Sequence, residues 1–551
     1  MSRMRRALCG ANLRRVVQVA CFLLFAWLFV AARLRAGTEL NPALGLFFWI
    51  DPLLLVATWL SGHAVPAIAL LALVTVVVTV LFGRVFCGWV CPLGTLHAGA
   101  GAVCDRVWPN RKRRDHWSPR QRTKYYLLAG LLAMALIGGH WATLFDPIVF
   151  LYRSLTVAVL PGFQWAVDEG TTAIYQADPG VGSWRLASAT EPARGFLRRH
   201  VFAVENQTFL GAAVILTLFV ATLLANAWRR RFWCRYLCPL GAMLGVLAWR
   251  PLVRRKVAAE GCNQCDLCAS ACHGAAASAP GSQWKPSECF SCFNCSESCR
   301  RQSLSFSLTV PWRREPAIES VDLSKRMLAA SMLGGLAGLW LLRSGPQSSA
   351  SRLGYQARGL WFHPDLIRPP GSRGERDFLQ RCTACGLCMK VCPTGGLQPA
   401  LFEAGLEGLW TPRLVPRLGY CDFDCNLCTQ VCPTEAIQPL SIPEKQETRL
   451  GLAGFDTSRC IPYAYGRDCM VCEEHCPIPD KAIYSLDVEI RDRNGEMKTI
   501  KRPYVDPDLC IGCGVCESVC PLKDRPGIRV ASANESRNPA NQPILPEDDL
   551  Y

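Results

Sequence analysis

The sequence predicts an α-helical membrane domain, about four spans in two repeats plus one linking span, joined to small α+β domains built around cysteine. Three observations carry this: five uncharged apolar stretches, one motif written twice among them, and 24 cysteines grouped in fours. The 551-residue chain holds 31 cysteines, with 50% hydrophobic and only 19% charged residues. That composition excludes disorder, and the length excludes a secreted disulfide miniprotein.

The apolar stretches are residues 16–32, 64–82, 125–145, 206–228 and 327–342. A helix crossing the hydrocarbon core needs about 20 residues, within a range of about 17–25. The middle three satisfy this, while the first and fifth rely on flanking Arg and Lys to snorkel. Buried core helices would give similar runs. A sixth stretch, 40–60, is interrupted by Asp51-Pro52 and reads as a re-entrant or interfacial segment.

Asp146-Pro147 repeats that pair after the third stretch, which points to an internal duplication. Each unit runs span, Asp-Pro, span, then a Cys-x3-Cys-Pro-Leu-Gly motif: Cys87 and Cys91 in the first, Cys234 and Cys238 in the second. Equivalent arginines, Arg84 and Arg231, stand three residues before each motif. Two copies of one hairpin put both motifs on one membrane face, and such folds commonly set their functional site at the repeat junction.

Orientation follows from basic residues near the span ends. Arg3, Arg5, Arg6, Arg14 and Arg15 form one cluster, and Arg111, Lys112, Arg113, Arg114, Arg120, Arg122 and Lys124 a second. Arg229, Arg230, Arg231, Arg254, Arg255 and Lys256 form the third. All three fall on one side, read as cytoplasmic, which makes the loop between Asp146 and residue 206 exterior. The domains expected are a membrane domain over 1–256, a cysteine-rich domain over 257–312, a linking segment over 313–345, and a second cysteine-rich domain over 346–551.

The quartets are Cys262, Cys265, Cys268 and Cys272; Cys289, Cys292, Cys295 and Cys299; Cys382, Cys385, Cys388 and Cys392; Cys421, Cys425, Cys428 and Cys432; Cys460, Cys469, Cys472 and Cys476; and Cys510, Cys513, Cys516 and Cys520. Four of them follow C-x2-C-x2-C-x3-C without change, the bacterial run that wraps an iron–sulfur cube with soft thiolates. Zinc ribbons use two separated pairs instead, and disulfides close poorly across loops this tight. Six [4Fe–4S] clusters are expected, with lengthened first gaps at Cys421–Cys425 and Cys460–Cys469. A [4Fe–4S]²⁺ core with four thiolates carries about −2. Six bring about −12, so the formal +16 of the chain falls to about +4 and needs no nucleic acid.

Here the resemblance is clear. Residues 80–300 resemble NapH-type membrane ferredoxins, and residues 322–525 resemble NapG-type and MauM-type four-cluster ferredoxins, including the lengthened gaps. The chain looks like a fusion of the two. The resemblance implies ferredoxin-like domains, menaquinol or ubiquinol oxidation, and electron delivery to a periplasmic reductase or cytochrome. The expected location is the cytoplasmic (inner) membrane, multi-pass, with the C-terminal domain periplasmic. In the first two-cluster domain Cys272 and Cys299 should exchange between clusters. In the second, similarity to other four-cluster subunits implies nesting: Cys392 exchanges with Cys520, and Cys432 with Cys476.

Cys9, Cys21 and Cys104 read as small hydrophobes. Cys87, Cys91, Cys234 and Cys238 would form a four-thiolate metal site if the repeats face each other; redox-active thiol pairs and a structural role are the alternatives. Intramembrane carboxylates are functional by default, and quinol oxidation must release protons, so Asp51 and Asp146 are candidate proton acceptors. The opposing reading makes them helix caps. His63 and His140 fall near span ends, but nothing else supports haem.

No P-loop, G-x-G-x-x-G or flavin motif occurs, so no nucleotide cofactor is expected. The leading function is a quinol-oxidising electron relay, a quinol dehydrogenase component more than a self-sufficient enzyme. A copper reductase or metalloenzyme assembly factor is the alternative, and a redox sensor would need a signalling module that is not apparent. Ser324-Lys325-Arg326-Met327-Leu328, before the fifth stretch, looks like a twin-arginine export signal with Lys in the first position. An ordinary membrane anchor is the competing reading.

Overall fold

The computed structural model describes residues 10–32, 42–108, 115–177, 180–181, 184–202, 207–258, 261–276, 284–309, 323–343, 363–491 and 495–538. Cys9, Arg3, Arg5, Arg6 and the run Arg111, Lys112, Arg113 and Arg114 lie outside the described residues. The chain divides into two compact units: Met1–Ala31, Ala43–Leu155 and Ala213–Trp340 form one, and Ala32–Pro42, Thr156–Ala212 and Leu341–Tyr551 the other.

In the first unit the duplication is visible element by element. Helix Gly10–Ala31 is followed by Leu46–Trp49, and Asp51 then caps helix Pro52–Gly62. In the second copy helix Thr123–Leu136 leads through the 3-10 turn Trp141–Phe145 to Asp146, which caps helix Pro147–Ser154. An N-cap carboxylate satisfies amides that the first turn leaves without partners, and proline at N1 has no amide to satisfy. Leu53 N–H donates to Asp51 Oδ1 at 2.8 Å, and Ile148 N–H to Asp146 Oδ1 at 2.8 Å. The chain bends by 81° across Asp51, as the interrupted stretch predicts.

An apolar helix comes next in each copy, Ala72–Phe82 and Ala212–Leu224. A π-turn carrying the first motif cysteine follows, Phe86–Val90 or Trp233–Leu237. The second cysteine of each motif then caps a helix, Pro92–Val107 or Pro239–Leu247. Cys91 Sγ accepts from Gly94 N–H at 3.4 Å and Cys238 Sγ from Gly241 N–H at 3.2 Å. The motif is thus a cap built from sulfur, with Pro again at N1.

Two expectations about the spans are corrected. The stretch 125–145 is not one helix, because it ends at Leu136 before Gly138, whose φ of 87° suits glycine. The region 146–206 is not a plain loop: it holds a 31-residue helical run, Pro147–Ala177, and helix Leu186–His200. Among the described residues two helices are long and apolar enough to cross a membrane, Gly10–Ala31 and Pro147–Ala177, or three if the bent pair counts as one span. Helix Gly10–Ala31 leaves an apolar face uncovered, with Val16 66% and Trp27 62% exposed.

The first cysteine-rich domain is a β-α-α-β unit in which Val253–Val257 pairs antiparallel with Leu304–Leu308. Its sheet begins within residues that the sequence assigns to the membrane domain. Helix Lys325–Arg343 packs closely on Thr123–Leu136 within the first unit: a Cβ at Gly335 would stand 2.1 Å from the Gly130 carbonyl oxygen.

The second unit holds the other four quartets among three antiparallel pairs, Leu397–Pro399 with Pro412–Leu414, Leu452–Phe455 with Ile528–Ala531, and Ile483–Arg491 with Met497–Val505. Arg368, 1% exposed, braces it through Glu375 and the Pro412 carbonyl. Burial alone would raise the Glu375 pKa, but Arg368 and Arg537 outweigh it and hold the carboxyl at about 2.

The Gly130–Gly335 contact yields a test. Gly335→Ala forces the two backbones apart and should destabilise the membrane unit by about 1–3 kcal/mol, the usual cost of overpacking. Thermal unfolding in detergent measures it, and an unchanged midpoint would show that the helices do not pack at this point.

Candidate iron–sulfur and membrane redox sites

The four unbroken quartets share one backbone conformation. In each, the residue before and the residue after the second cysteine take positive φ: Gln264 and Asp266, Ser291 and Phe293, Ala384 and Gly386, Gly512 and Gly514. Only the last pair is all glycine, so the other loops accept left-handed strain that a functional geometry must offset. After the second positive-φ residue a short helix starts, such as Leu387–Val391 or Val515–Val519. The two lengthened quartets depart from this: Asn426 and Met470, the equivalents after the second cysteine, have φ of −126° and −116°.

The thiols gather in mixed sets. Cys272 joins Cys289, Cys292 and Cys295 around one cavity walled by Phe290, Phe293 and Trp284. Cys392 joins Cys421, Cys425 and Cys428 around a second, and Cys520 joins Cys460, Cys469 and Cys472 around a third. Cys432 faces Cys382, Cys385 and Cys388, while Cys476 faces Cys510 and Cys513. Cys262 and Cys265 are exposed, and Cys299 Sγ lies 3.5 Å from Ser303 Oγ.

Exchange of the fourth cysteine therefore runs between neighbouring quartets, Cys392 with Cys432 and Cys476 with Cys520. The nested scheme is wrong. The short helices of consecutive quartets pack side by side, Leu387–Val391 with Leu427–Gln430 and Val471–Glu474 with Val515–Val519, so each fourth cysteine meets its neighbour's set.

These sets fit iron–sulfur clusters by their chemistry. Burial pushes the Cys385 and Cys513 thiols up to about 11 and those of Cys289, Cys421 and Cys472 up to about 12. Four buried thiolates in one cavity are stable only against a strongly cationic core. Among the described residues no three His, Cys, Asp or Glu side chains stand close enough for a single metal ion. Corners of a cube hold thiolates farther apart than one ion does.

In the two helical repeats Cys87, Cys91, Cys234 and Cys238 are all buried, at 3–7% exposure. Each thiol lies near others of the four, Cys238 near Cys234, Cys87 and Cys91. The Asp51 and Asp146 carboxyls are also buried and face one another, with Asp146 near Cys91. Oδ1 of each caps its helix, and Oδ2 of each is buried without a hydrogen-bond donor. Capping and a second role are thus compatible. His140 is buried and its Nε2 lies 3.2 Å from Thr58 Oγ1, whereas His63 is exposed.

Some residues read only as orientation signals build this centre. Arg84 and Arg231, repeat equivalents, both lay their guanidinium over the Phe290 ring, at 4.7 and 4.9 Å. Arg84 Nη1 donates to the Ser287 carbonyl at 3.0 Å, and its Nη2 lies 3.9 Å from Cys87 Sγ. Lys124 pairs with the buried Glu288 at 2.5 Å, and Trp89 Nε1 donates to the Ser291 carbonyl at 3.0 Å. The loop carrying Cys289 and Cys292 is therefore pinned at the repeat junction. The equivalence of Arg84 and Arg231 was the signal; what they grip could not be read from it. His97, buried and bonded through Nδ1 to Asn226 at 2.7 Å, was also missed.

With this geometry in view, the comparisons with known proteins can be read. A 4Fe-4S binding domain family matches residues 64–114 and again 208–259, one match over each Cys-x3-Cys-Pro copy, so the repeat is supported. A second 4Fe-4S binding domain family matches 379–398 and 503–523. The ferredoxin-type protein NapG of Escherichia coli K12 is 34% identical over 165 residues, 30% of this chain and 69% of that protein. The methylamine utilization ferredoxin-type protein MauM of Methylorubrum extorquens is 37% identical over 187 residues, 32% of this chain and 80% of its own. The chain belongs to the NapG and MauM ferredoxin-type family. Membership rests on about a third of its length, and the NapH-type reading of the membrane part is compatible with it. The putative electron transport protein YccM of Escherichia coli K12 is 27% identical over 254 residues, 46% of this chain and 58% of YccM. No solved structure matches. As a family member the chain is an iron–sulfur electron-transport protein.

Neighbour exchange predicts a specific spectroscopic result. Cys392→Ser should perturb the same EPR signal as Cys421→Ser and leave intact the one that Cys382→Ser removes. If Cys392→Ser and Cys382→Ser alter one common signal, each quartet closes on itself.

Proposed function

We propose that the chain is an inner-membrane electron relay that oxidises quinol in its helical repeats and passes electrons to a periplasmic reductase or cytochrome. The observation that carries this reading is the meeting of two buried carboxyls, Asp51 and Asp146, near the Cys-x3-Cys-Pro thiols. Apolar helix faces left uncovered in Gly10–Ala31 and Ala72–Phe82 favour a lipid surrounding, since water would penalise them. About four spans plus a linking one remains our reading, with the shorter helices completing broken spans around the Asp-Pro bends.

Oxidising one quinol to quinone releases two protons and two electrons. Asp51 and Asp146 are assigned to the protons: backbone amides hold each Oδ1, which leaves each Oδ2 to accept. Six [4Fe–4S] clusters, when bound to the 24 quartet cysteines, supply one-electron carriers. Cys87, Cys91, Cys234 and Cys238, like the quartet thiols too widely spaced for a single ion, are assigned to a further metal cluster beside the carboxyls. Arg84, Arg231 and Lys124 keep the Cys289 and Cys292 loop against that centre, so that the distance stays fixed during turnover. Because the four membrane thiols are buried together, copper reduction at them is the second reading.

Sidedness is argued within the second unit. Gln398, six residues after Cys392, donates through Nε2 to the Thr208 carbonyl at 3.0 Å and accepts from Leu210 N–H at 3.1 Å. Thr208 and Leu210 precede helix Ala212–Leu224 at the end we take as exterior. Arg343, the last residue of helix Lys325–Arg343, pairs with Glu407 at 2.9 Å. A periplasmic four-cluster domain, exported folded through the Lys325-Arg326 signal, is part of the same reading.

Anaerobically purified protein should contain about 24 iron atoms, or more if the membrane thiols hold iron. Fewer than about 16 irons, or stoichiometric zinc, would sink the cluster assignment. A reduced quinol analogue should bleach the iron–sulfur absorbance. Asp51→Asn and Asp146→Asn keep the caps and the iron but should slow that bleaching at least about tenfold, the low end of proton-acceptor effects. Unchanged rates would remove the carboxyls from the mechanism.

Reporter fusions after residues 310 and 545 should report opposite sides of the membrane. The same side for both would overturn the topology, and normal export of cluster-loaded Arg326→Gln would remove the export signal.

A further inference from the structure

Lys445 is buried where a cation has no obvious business. It lies on helix Ile442–Glu447, whose start is fixed by a capping box between Ser441 and Glu444. Its side chain is 2% exposed. The ammonium donates to the Asp422 and Phe423 carbonyls, the second at 2.9 Å, and stands 5.6 Å from the Phe423 ring centroid. Among the described residues no carboxylate forms an ion pair with it. Lysine is almost never fully buried unless paired, because desolvating its charge costs several kcal/mol.

The missing counter-charge is sulfur. Lys445 bears on Cys421, Cys425 and Cys428, three members of the set completed by Cys392. It bears more weakly on Cys513, from the set completed by Cys476. These two sets adjoin. Cys421 N–H donates to the Cys513 carbonyl at 2.8 Å, and Leu450 N–H to the Ile511 carbonyl at 2.9 Å. Ile511, Cys513 and Val515 form an apolar core against which Tyr420, Cys421 and Phe423 pack. The seam between the two exchanged pairs thus runs through the second and fourth quartets, so the spatial order of the quartets is first, second, fourth, third.

We propose that Lys445 sets the reduction potentials of the two clusters flanking this seam, and so governs how electrons cross from one exchanged pair to the other. The proposal rests on the assignment of clusters to the quartets. Each reduction adds one electron and one negative charge to a cluster of about −2, and net charge and hydrogen bonding are the protein's means of tuning it. A fixed cation in a water-poor seam favours the reduced form of both neighbours. Lys445 is a positioning residue in this scheme, acting on the clusters through its charge and not as a ligand.

The test uses the full-length, cluster-loaded protein. Lys445→Gln keeps a donor for the two carbonyls and removes the charge; Lys445→Met removes both; Lys445→Arg keeps the charge. Iron per protein and the six EPR-monitored redox titrations are read for each. Two of the six potentials should move to more negative values in Lys445→Gln, with iron unchanged, and Lys445→Arg should restore them. No shift, a parallel shift of all six, or a shift of only one would overturn the proposal. Loss of iron from both Gln and Met variants with full retention in Arg would also overturn it, in favour of a purely structural cation. A wild-type protein with too few clusters would instead fail the cluster assignment itself, through the iron count.

Discussion

Sharing of the fourth cysteine between neighbouring quartets is the constraint on which the C-terminal domain depends. Each set of three thiols sits on a tight loop, and the fourth comes from the neighbouring quartet. Cys392 among Cys421, Cys425 and Cys428, and Cys520 among Cys460, Cys469 and Cys472, tie loops about 30 to 60 residues apart. Little regular structure is then needed. Two of the three strand pairs are only three or four residues long, and buried thiols pushed up to about 11 or 12 by desolvation leave the domain dependent on the cationic cores they would surround.

The helical repeats solve a related problem with caps. Asp51 and Asp146 begin one helix in each copy, and Cys91 and Cys238 begin another, each followed by proline. A cap must reach its backbone amides, so the side chain is held at a helix start whatever else it does. Two copies bring two carboxyls and four thiols to one buried region. Four of these six, Asp51, Asp146, Cys91 and Cys238, therefore serve the fold through Oδ1 and Sγ, while each Oδ2 is buried without a hydrogen-bond donor.

What could be read from the sequence was local. Quartet spacing, the doubled Asp-Pro and Cys-x3-Cys-Pro motifs, and the bend at Asp51 are all written within a few residues. The left-handed positions flanking Cys265 or Cys385 follow from that spacing as well. Pairing of the quartets could not be read, since which fourth cysteine reaches which cavity depends on packing between short helices such as Leu387–Val391 and Leu427–Gln430. The run Pro147–Ala177 escaped because Arg153, Asp168 and Glu169 interrupt its apolar pattern. Lys124 and Arg231 looked like flanking charges, and Arg84 like one position of the repeat, because sequence does not reveal that they are buried.

The arginine pair also shows how a duplicated structure acquires direction. Arg84 and Arg231 occupy equivalent positions, yet both grip the one Phe290 ring. Their contacts on the thiol side are unequal: Arg84 Nη2 lies 3.9 Å from Cys87 Sγ, while Arg231 Nη1 donates to the Cys87 carbonyl at 3.1 Å. Both therefore converge on the first repeat's cysteine. A symmetric site would offer no preferred exit, but a single loop bearing Cys289 and Cys292, held by both arginines, breaks the equivalence. Arg231 of the second repeat holds the Cys87 backbone and Arg84 of the first lies beside the Cys87 thiol, so the two copies no longer make the same contacts.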